Sequence, residues 1–147
     1  MKSSYVPDLK AQAAICEGNF ARLRRCLPDF TVGQDVNFVL ESAQHLSADI
    51  TLTVIERFRY TASVEITVHQ HQVPDYVARQ TFMVRVYLDA NTAEVVTFAR
   101  RGSFQGVYPY PNPDMFHADE KDQLNRWLSE WLQLLFSHGR SAESITF

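Results

Sequence analysis

Residues 81–98, TFMVRVYLDANTAEVVTF, constrain the fold more than any other stretch of the chain. Phe82, Val84, Val86 and Leu88 alternate with Met83, Arg85, Tyr87 and Asp89. A period of two on both sides of an Asp- and Asn-containing break describes a β-hairpin with one buried face. A four-residue turn at 89–92 pairs Leu88 with Ala93, Tyr87 with Glu94 and Val86 with Val95. A two-residue turn would instead set Asp89 opposite Glu94, two like charges in contact. In the four-residue register Arg85, Tyr87 and Glu94 share a face, with Arg85 and Glu94 as diagonal neighbours.

An apolar hairpin face must be covered, and the two ends of the chain supply the cover. In residues 8–27, Leu9, Ala13, Cys16, Phe20, Leu23 and Leu27 recur at alternating spacings of four and three, the stripe of an amphipathic helix. Pro7 and Asp8 suit its start, and Pro28 ends it. Arg22, Arg24 and Arg25 face the negative end of its dipole. Gly18, costing about 1 kcal/mol mid-helix relative to alanine, marks a possible close contact. Residues 118–138 form a second helix with a broad stripe of Leu124, Trp127, Leu128, Trp131, Leu134 and Leu135. Asp119, Glu120 and Asp122 favour its first turn, and Gly139 is placed at C′.

Between these helices the period of two recurs at 36–41, 48–55 and 60–69, followed by a loop at 73–79. After the hairpin, Val107-Tyr108-Pro109-Tyr110-Pro111-Asn112-Pro113-Asp114 carries proline at every second position. That imposes an extended, polyproline-like path, read as a strap over the sheet in preference to a pocket wall. The tail from 140 is polar and is given no element. The expected architecture is α+β in one domain, residues 1–147. It has an N-terminal helix, a roughly five-stranded antiparallel sheet and a C-terminal helix, both helices on one sheet face. Which face they cover decides whether the Arg85 side is open or internal.

A chain of 147 residues buries enough surface to fold without staples. Its net charge of −3, with both signs dispersed, gives no footprint for nucleic acid. The N-terminus lacks an apolar leader, and no apolar run approaches the ~20 residues of a membrane span, so a cytoplasmic location is expected. Cys16 and Cys26 fall about 15 Å apart along one helix, out of disulfide reach, and are read as free thiols.

Candidate chemistry concentrates on the hairpin. Arg85, Tyr87, Asp89 and Glu94, bordered by Tyr108, Tyr110 and Asn112, form a polar patch for a small anionic ligand or a protein partner. The plainer account of the same residues is a cross-strand ion pair on an outer sheet face, and it takes precedence. A hydrolase acting on a nucleotide-like substrate, with Asp89 or Glu94 as general base and Arg85 as anion clamp, is the catalytic alternative. Self-association through the Trp127 and Trp131 face, giving a homodimer, is the structural one. The arginines closing the first helix are an anion site only in second place to dipole complementation. His69-Gln70-His71 sets two imidazoles on one strand face, half of a metal site, and no local spacing completes it. No metal and no cofactor is therefore expected. Phosphate loops, nucleophile elbows and zinc-protease motifs are absent from the sequence, which leans the reading away from an enzyme.

Cys16-Glu17-x-Asn19-Phe20-x-x-Leu23-Arg24-Arg25-x-Leu27-Pro28, Arg59-Tyr60-Thr61 and Arg85-x-Tyr87-x-Asp89-Ala90 with Glu94-Val95 together resemble the bacterial YqiB-like family, a domain of unknown function. Tyr108-x-Tyr110-Pro111-Asn112, Asp119-Glu120-Lys121-x-Gln123-x-Asn125 and Trp131-Leu132 extend the resemblance over nearly the whole chain. The resemblance implies no catalytic residues. Gene neighbourhoods in that family imply an association with nucleotide metabolism or signalling. The family pattern has a histidine where this chain has Leu88, which argues against an essential role for that histidine.

Overall fold

The computed structural model describes residues 8–41, 47–102, 106–109 and 118–141. In chain order the elements are α1 (Leu9–Cys26), β1 (Asp35–Glu41), β2 (Ser47–Arg57), β3 (Thr61–Gln70), α2 (Asp75–Ala78), β4 (Arg79–Tyr87), β5 (Thr92–Gly102), β6 (Gly106–Pro109), α3 (Ala118–His138) and β7 (Gly139–Ser141). The strands form one antiparallel sheet in the order β6-β5-β4-β3-β2-β1-β7. All five expected strands are present. The short β6 and β7 bring the count to seven, and both lie where no strand was expected. Of the expected strap at 107–114, Val107 to Pro109 is ladder, paired with Ala99–Arg101, and 110–114 lie outside the described residues. Proline is tolerated there because β6 is an edge strand.

Period-two alternation does place one set of side chains inward. Leu40, Ile50, Leu52, Val54, Val64, Ile66, Val68, Phe82, Val84, Val86 and Val95 form one buried cluster with Phe20, Leu23 and Leu27 of α1 and Leu124, Leu128, Leu132 and Leu135 of α3. Both long helices thus cover the same face. The opposite face, bearing Arg85, is the one they leave open.

Asp8 caps α1 as its position implies, its Oδ1 accepting from the Ala11 N–H at 3.1 Å. The stripe of α1 is buried only in its second half. Leu9 is 73% exposed, and Ala13 is exposed too. The helix overhangs the sheet at its start, and the packed core begins at Asn19 and Phe20. Gly18 does not sit at a tight contact: a Cβ there would meet only the tip of the Arg22 side chain, at 3.0 Å. Gly18→Ala is accordingly expected to raise stability by up to about 1 kcal/mol, read as a higher urea midpoint, because Arg22 can swing aside. A lower midpoint would mean that Arg22 is locked.

Gly139 has a different reason to be glycine. Its Cβ would fall 2.5 Å from the Leu135 carbonyl oxygen. Close approach of backbone to the last turn of α3 lets the chain leave the helix directly as β7, which pairs with β1 through Gly139 to Leu40 and Ser141 to Phe38. Arg140, expected in an unstructured tail, lies in this strand and pairs with Glu41 at 3.6 Å.

Candidate functional site

The β4–β5 hairpin turns one residue earlier than the sequence reading has it. Val86 faces Ala93, Arg85 faces Glu94 directly and Tyr87 faces Thr92, leaving Leu88 to Asn91 as the turn. Asn91 adopts φ 58°, a left-handed conformation that asparagine accepts better than most residues. The expected turn would have closed on Asn91 and Thr92, and β-branched Thr92 instead enters the strand. The shift is one residue on each side, so every side chain keeps its face. A bulge opposite Met83 and Val84 then offsets the rest of β5.

On the open face the hairpin brings together three of the expected site residues. Tyr87 donates its hydroxyl to Glu94 Oε2 at 3.0 Å, and Lys121 of α3 reaches Glu94 Oε1 at 3.0 Å. Burial and the hydrogen bond to Glu94 raise the Tyr87 pKa, and Arg85 opposes the rise. Both carboxylate oxygens of Glu94 are thus committed to protein partners, a poor arrangement for a general base that must accept a substrate proton. Asp89 stands exposed in the turn, without an ion-pair partner among the described residues. Tyr108 lies in β6, while Tyr110 and Asn112 fall outside the described residues.

The same end of the sheet holds a concave surface. Arg24, Arg25, Pro28 and Asp29 at the end of α1 face Ala90 and Asn91 of the turn across an open groove of about 880 Å³, with Glu17 on its wall. An adjoining hollow of about 350 Å³ adds Arg57 and Leu88 to Arg24 and Asn91. The Leu88 N–H bonds to the Tyr60 carbonyl at 2.8 Å, which ties the β2–β3 connection to the hairpin turn and brings Arg57 to the groove. Arg57 donates to the carbonyls of Phe58 and Arg59, and Arg25 stacks on Phe136, 5.1 Å from its ring centre. No carboxylate among the described residues forms a salt bridge with Arg24, Arg25 or Arg57. Sequence reasoning found the α1 arginines and ranked them as dipole complements. It missed their meeting with Arg57 and Asn91, which depends on three separate connections.

The thiols hold no nucleophile. Burial pushes Cys26 up to about 11, against the opposing Arg25 charge, and raises Cys16, with Glu94 adding to the shift. Both are protonated at neutral pH. Trp131 is buried, and Trp127 packs edge-on against Phe82 with ring centres 5.8 Å apart. The tryptophan face is thus packed largely inside the chain, with Trp127 left partly exposed. No helix is long and apolar enough to cross a membrane among the described residues.

Two polar groups that the sequence reading passed over hold the site elements together. Asn125 of α3 accepts the Val95 N–H through Oδ1 at 2.7 Å, and its backbone carbonyl accepts from Asn19 Nδ2 at 3.3 Å. Among the described residues β6 pairs with β5 only from Ala99 to Gly102, so no described strand pairs with Val95 on that side. α3 closes that edge with a side-chain acceptor and locks α1 through the same residue.

Comparison with known proteins is consistent along the length of the chain. The model of the family described as "Protein of unknown function (DUF1249)" matches residues 22–141. "Uncharacterized protein YqiB" of Escherichia coli strain K12 is 35% identical over 139 residues, 94% of this chain and 95% of the relative. The protein of the same description from Escherichia coli O157:H7 matches to the same extent. No solved structure matches the chain. The family match over most of the chain, with this identity over nearly all of it, shows that the protein belongs to the DUF1249 family and is similar to YqiB.

Proposed function

We propose that the protein is a non-catalytic binding module for a small anionic ligand, held in the groove between the end of α1 and the tips of the β2–β3 and β4–β5 hairpins. The observation that carries this reading is that Arg24 lines both adjoining hollows and shares one of them with Arg57 and Asn91, with no carboxylate bridged to Arg24 or Arg57 among the described residues. Guanidinium groups present fixed donor forks suited to phosphate and carboxylate, and Asn91 adds an amide to the same wall. Glu17 and Asp29 also line the groove and disfavour a ligand that is anionic throughout. A ligand with one charged end and a neutral polar body fits better, its charge toward Arg24 and Arg57. The Arg85, Tyr87 and Glu94 cluster on the open face of the same hairpin acts as a brace for the turn.

A thermal-shift series with inorganic phosphate, nucleoside monophosphates and nucleotide sugars tests this. A ligand at a hundred times its Kd adds about 2.7 kcal/mol, or roughly 5–10 °C in Tm for a domain of this size. The expected result is a shift of that order that Arg24→Ala abolishes while the ligand-free Tm stays within about 2 °C of the parent. Arg24 is exposed, so its removal is structurally mild. No shift with any of these ligands, or a shift that survives Arg24→Ala, would sink the groove as the site.

A further inference from the structure

The opposite end of the sheet assembles a different chemistry. The β2–β3 register sets Asp49 directly across from His69, and His71 follows two residues later on the same side. His69, His71 and Asp49 bring two imidazole nitrogens and a carboxylate oxygen within 4.8 Å of one another. His71 Nε2 lies 2.9 Å from Asp49 Oδ2, and the two imidazoles meet edge to face with centres 5.6 Å apart. We infer that these three side chains form a binding site for a first-row divalent transition ion, of which zinc is the representative.

Three observations carry the inference. The first is the donor set: two nitrogens and one carboxylate oxygen suit zinc, cobalt or nickel, whereas magnesium and calcium call for oxygen donors throughout. The second is spacing. Two ligands about 2.0–2.1 Å from a common ion stand roughly 3 Å apart, which is the His71–Asp49 separation, and a modest rotation of the partly exposed His69 ring brings in the third. The third is the support behind His71. Its Nδ1 lies 2.7 Å from Ser47 Oγ. When that nitrogen donates to Ser47, the Nε2 lone pair is turned toward the Asp49 side of the site and is available to an ion bound by both; in the other tautomer Nε2–H donates to Asp49 and a hydrogen bond alone accounts for the separation. A hydrogen-bond partner on the far nitrogen is the usual device for orienting a metal-binding imidazole. Ser47 is itself fixed: its N–H donates to Gln72 Oε1 at 3.0 Å, and its carbonyl accepts the His71 N–H at 2.9 Å. The ladder thus continues past β3 and holds His71 in place.

Arg79, paired with His69 across β4, is the opposing charge. It is exposed, and the Asp49 carboxylate within the cluster offsets its charge. Three protein ligands leave at least one coordination position to water or to an incoming donor. The site is set apart from the arginine groove, so its occupancy is independent of the anion reading.

The test uses the full chain without a polyhistidine tag, titrated with zinc by calorimetry and with cobalt by visible absorption. The expected result is one ion per chain, d–d bands on cobalt addition, and affinity weakened at least tenfold in His69→Ala, His71→Ala and Asp49→Asn. Ser47→Ala weakens it roughly tenfold by releasing the His71 ring. Arg79→Ala binds at least as tightly as the parent. Each variant is first shown to be folded by circular dichroism, and Asp49→Asn preserves shape in case a histidine variant fails that check. Absence of saturable one-to-one binding, or binding that the folded His69 and Asp49 variants retain, would overturn the site and leave His71–Asp49 as a strand-end ion pair.

Discussion

Phe82→Ala is expected to destabilise the protein by about 3–5 kcal/mol and to lower Tm by on the order of 10 °C. Phe82 is fully buried in β4, near the centre of the sheet. Its ring lies 5.0 Å from Phe98 and 5.8 Å from Trp127, and those two are 5.1 Å from each other. The three rings join the β4–β5 pair to α3, so truncation removes the buried area of one ring and leaves its two neighbours facing a cavity. Close-packed interiors collapse only partly around such a gap, and the residual volume adds to the transfer cost. Urea unfolding followed through tryptophan fluorescence gives the check, since Trp127 stands in the cluster. The midpoint should fall with the slope unchanged. A loss below about 1 kcal/mol would show that the α3–sheet contact is not a main source of stability.

The second large effect is expected at a polar residue. Asn125→Leu should cost about 2–3 kcal/mol although it adds apolar bulk, because it leaves the Val95 N–H without an acceptor. An unpaired buried donor loses its bond to water on folding and gains nothing in return. The loss also opens the edge of β5 beyond β6 to pairing with another chain. Amide hydrogen exchange distinguishes this from a general loosening: Val95 should lose protection by more than the global change in stability, while Val64 and Ile66 follow the global value. Equal loss of protection at all three amides, or a stability change within 0.5 kcal/mol, would mean that the side-chain acceptor is dispensable.

What connects the two positions is the way α3 is held. Its apolar stripe supplies the adhesion, and Asn125 supplies the alignment. Leucine contacts alone leave a helix free to slide by a turn along a sheet at small cost. A buried side chain with one acceptable partner removes that freedom. The alignment also places Lys121 within reach of Glu94, so the brace behind the β4–β5 turn depends on a residue more than a helical turn away.

Side-chain periodicity is a local property, and it determined much of this protein before any contact was considered. The 81–98 alternation dictated a hairpin, and the apolar sets of β1, β2 and β3 dictated a sheet with one buried face. The stripe of 118–138 dictated a helix to cover that face. Asp8 and Pro28 bounded the first helix through caps and breakers that act over one turn. The tertiary structure decided what periodicity leaves open. Sheet register is set by connections outside the strands: a turn that closes on Asn91 in a left-handed conformation instead of on Thr92 put Arg85 directly opposite Glu94. The β2–β3 register carried Asp49 across to His69, which no spacing along the chain discloses because the two are separated by a full hairpin. Glycine at 139 reads as a helix terminator in sequence, while its reason is a backbone approach of α3 to β7. The meeting of Arg24 with Arg57 and Asn91, the choice of open face and the closure of the β5 edge by Asn125 are likewise long-range. Each follows from how the elements are docked, and docking is fixed by volume, register and hydrogen-bond satisfaction summed over the whole core rather than by any one segment.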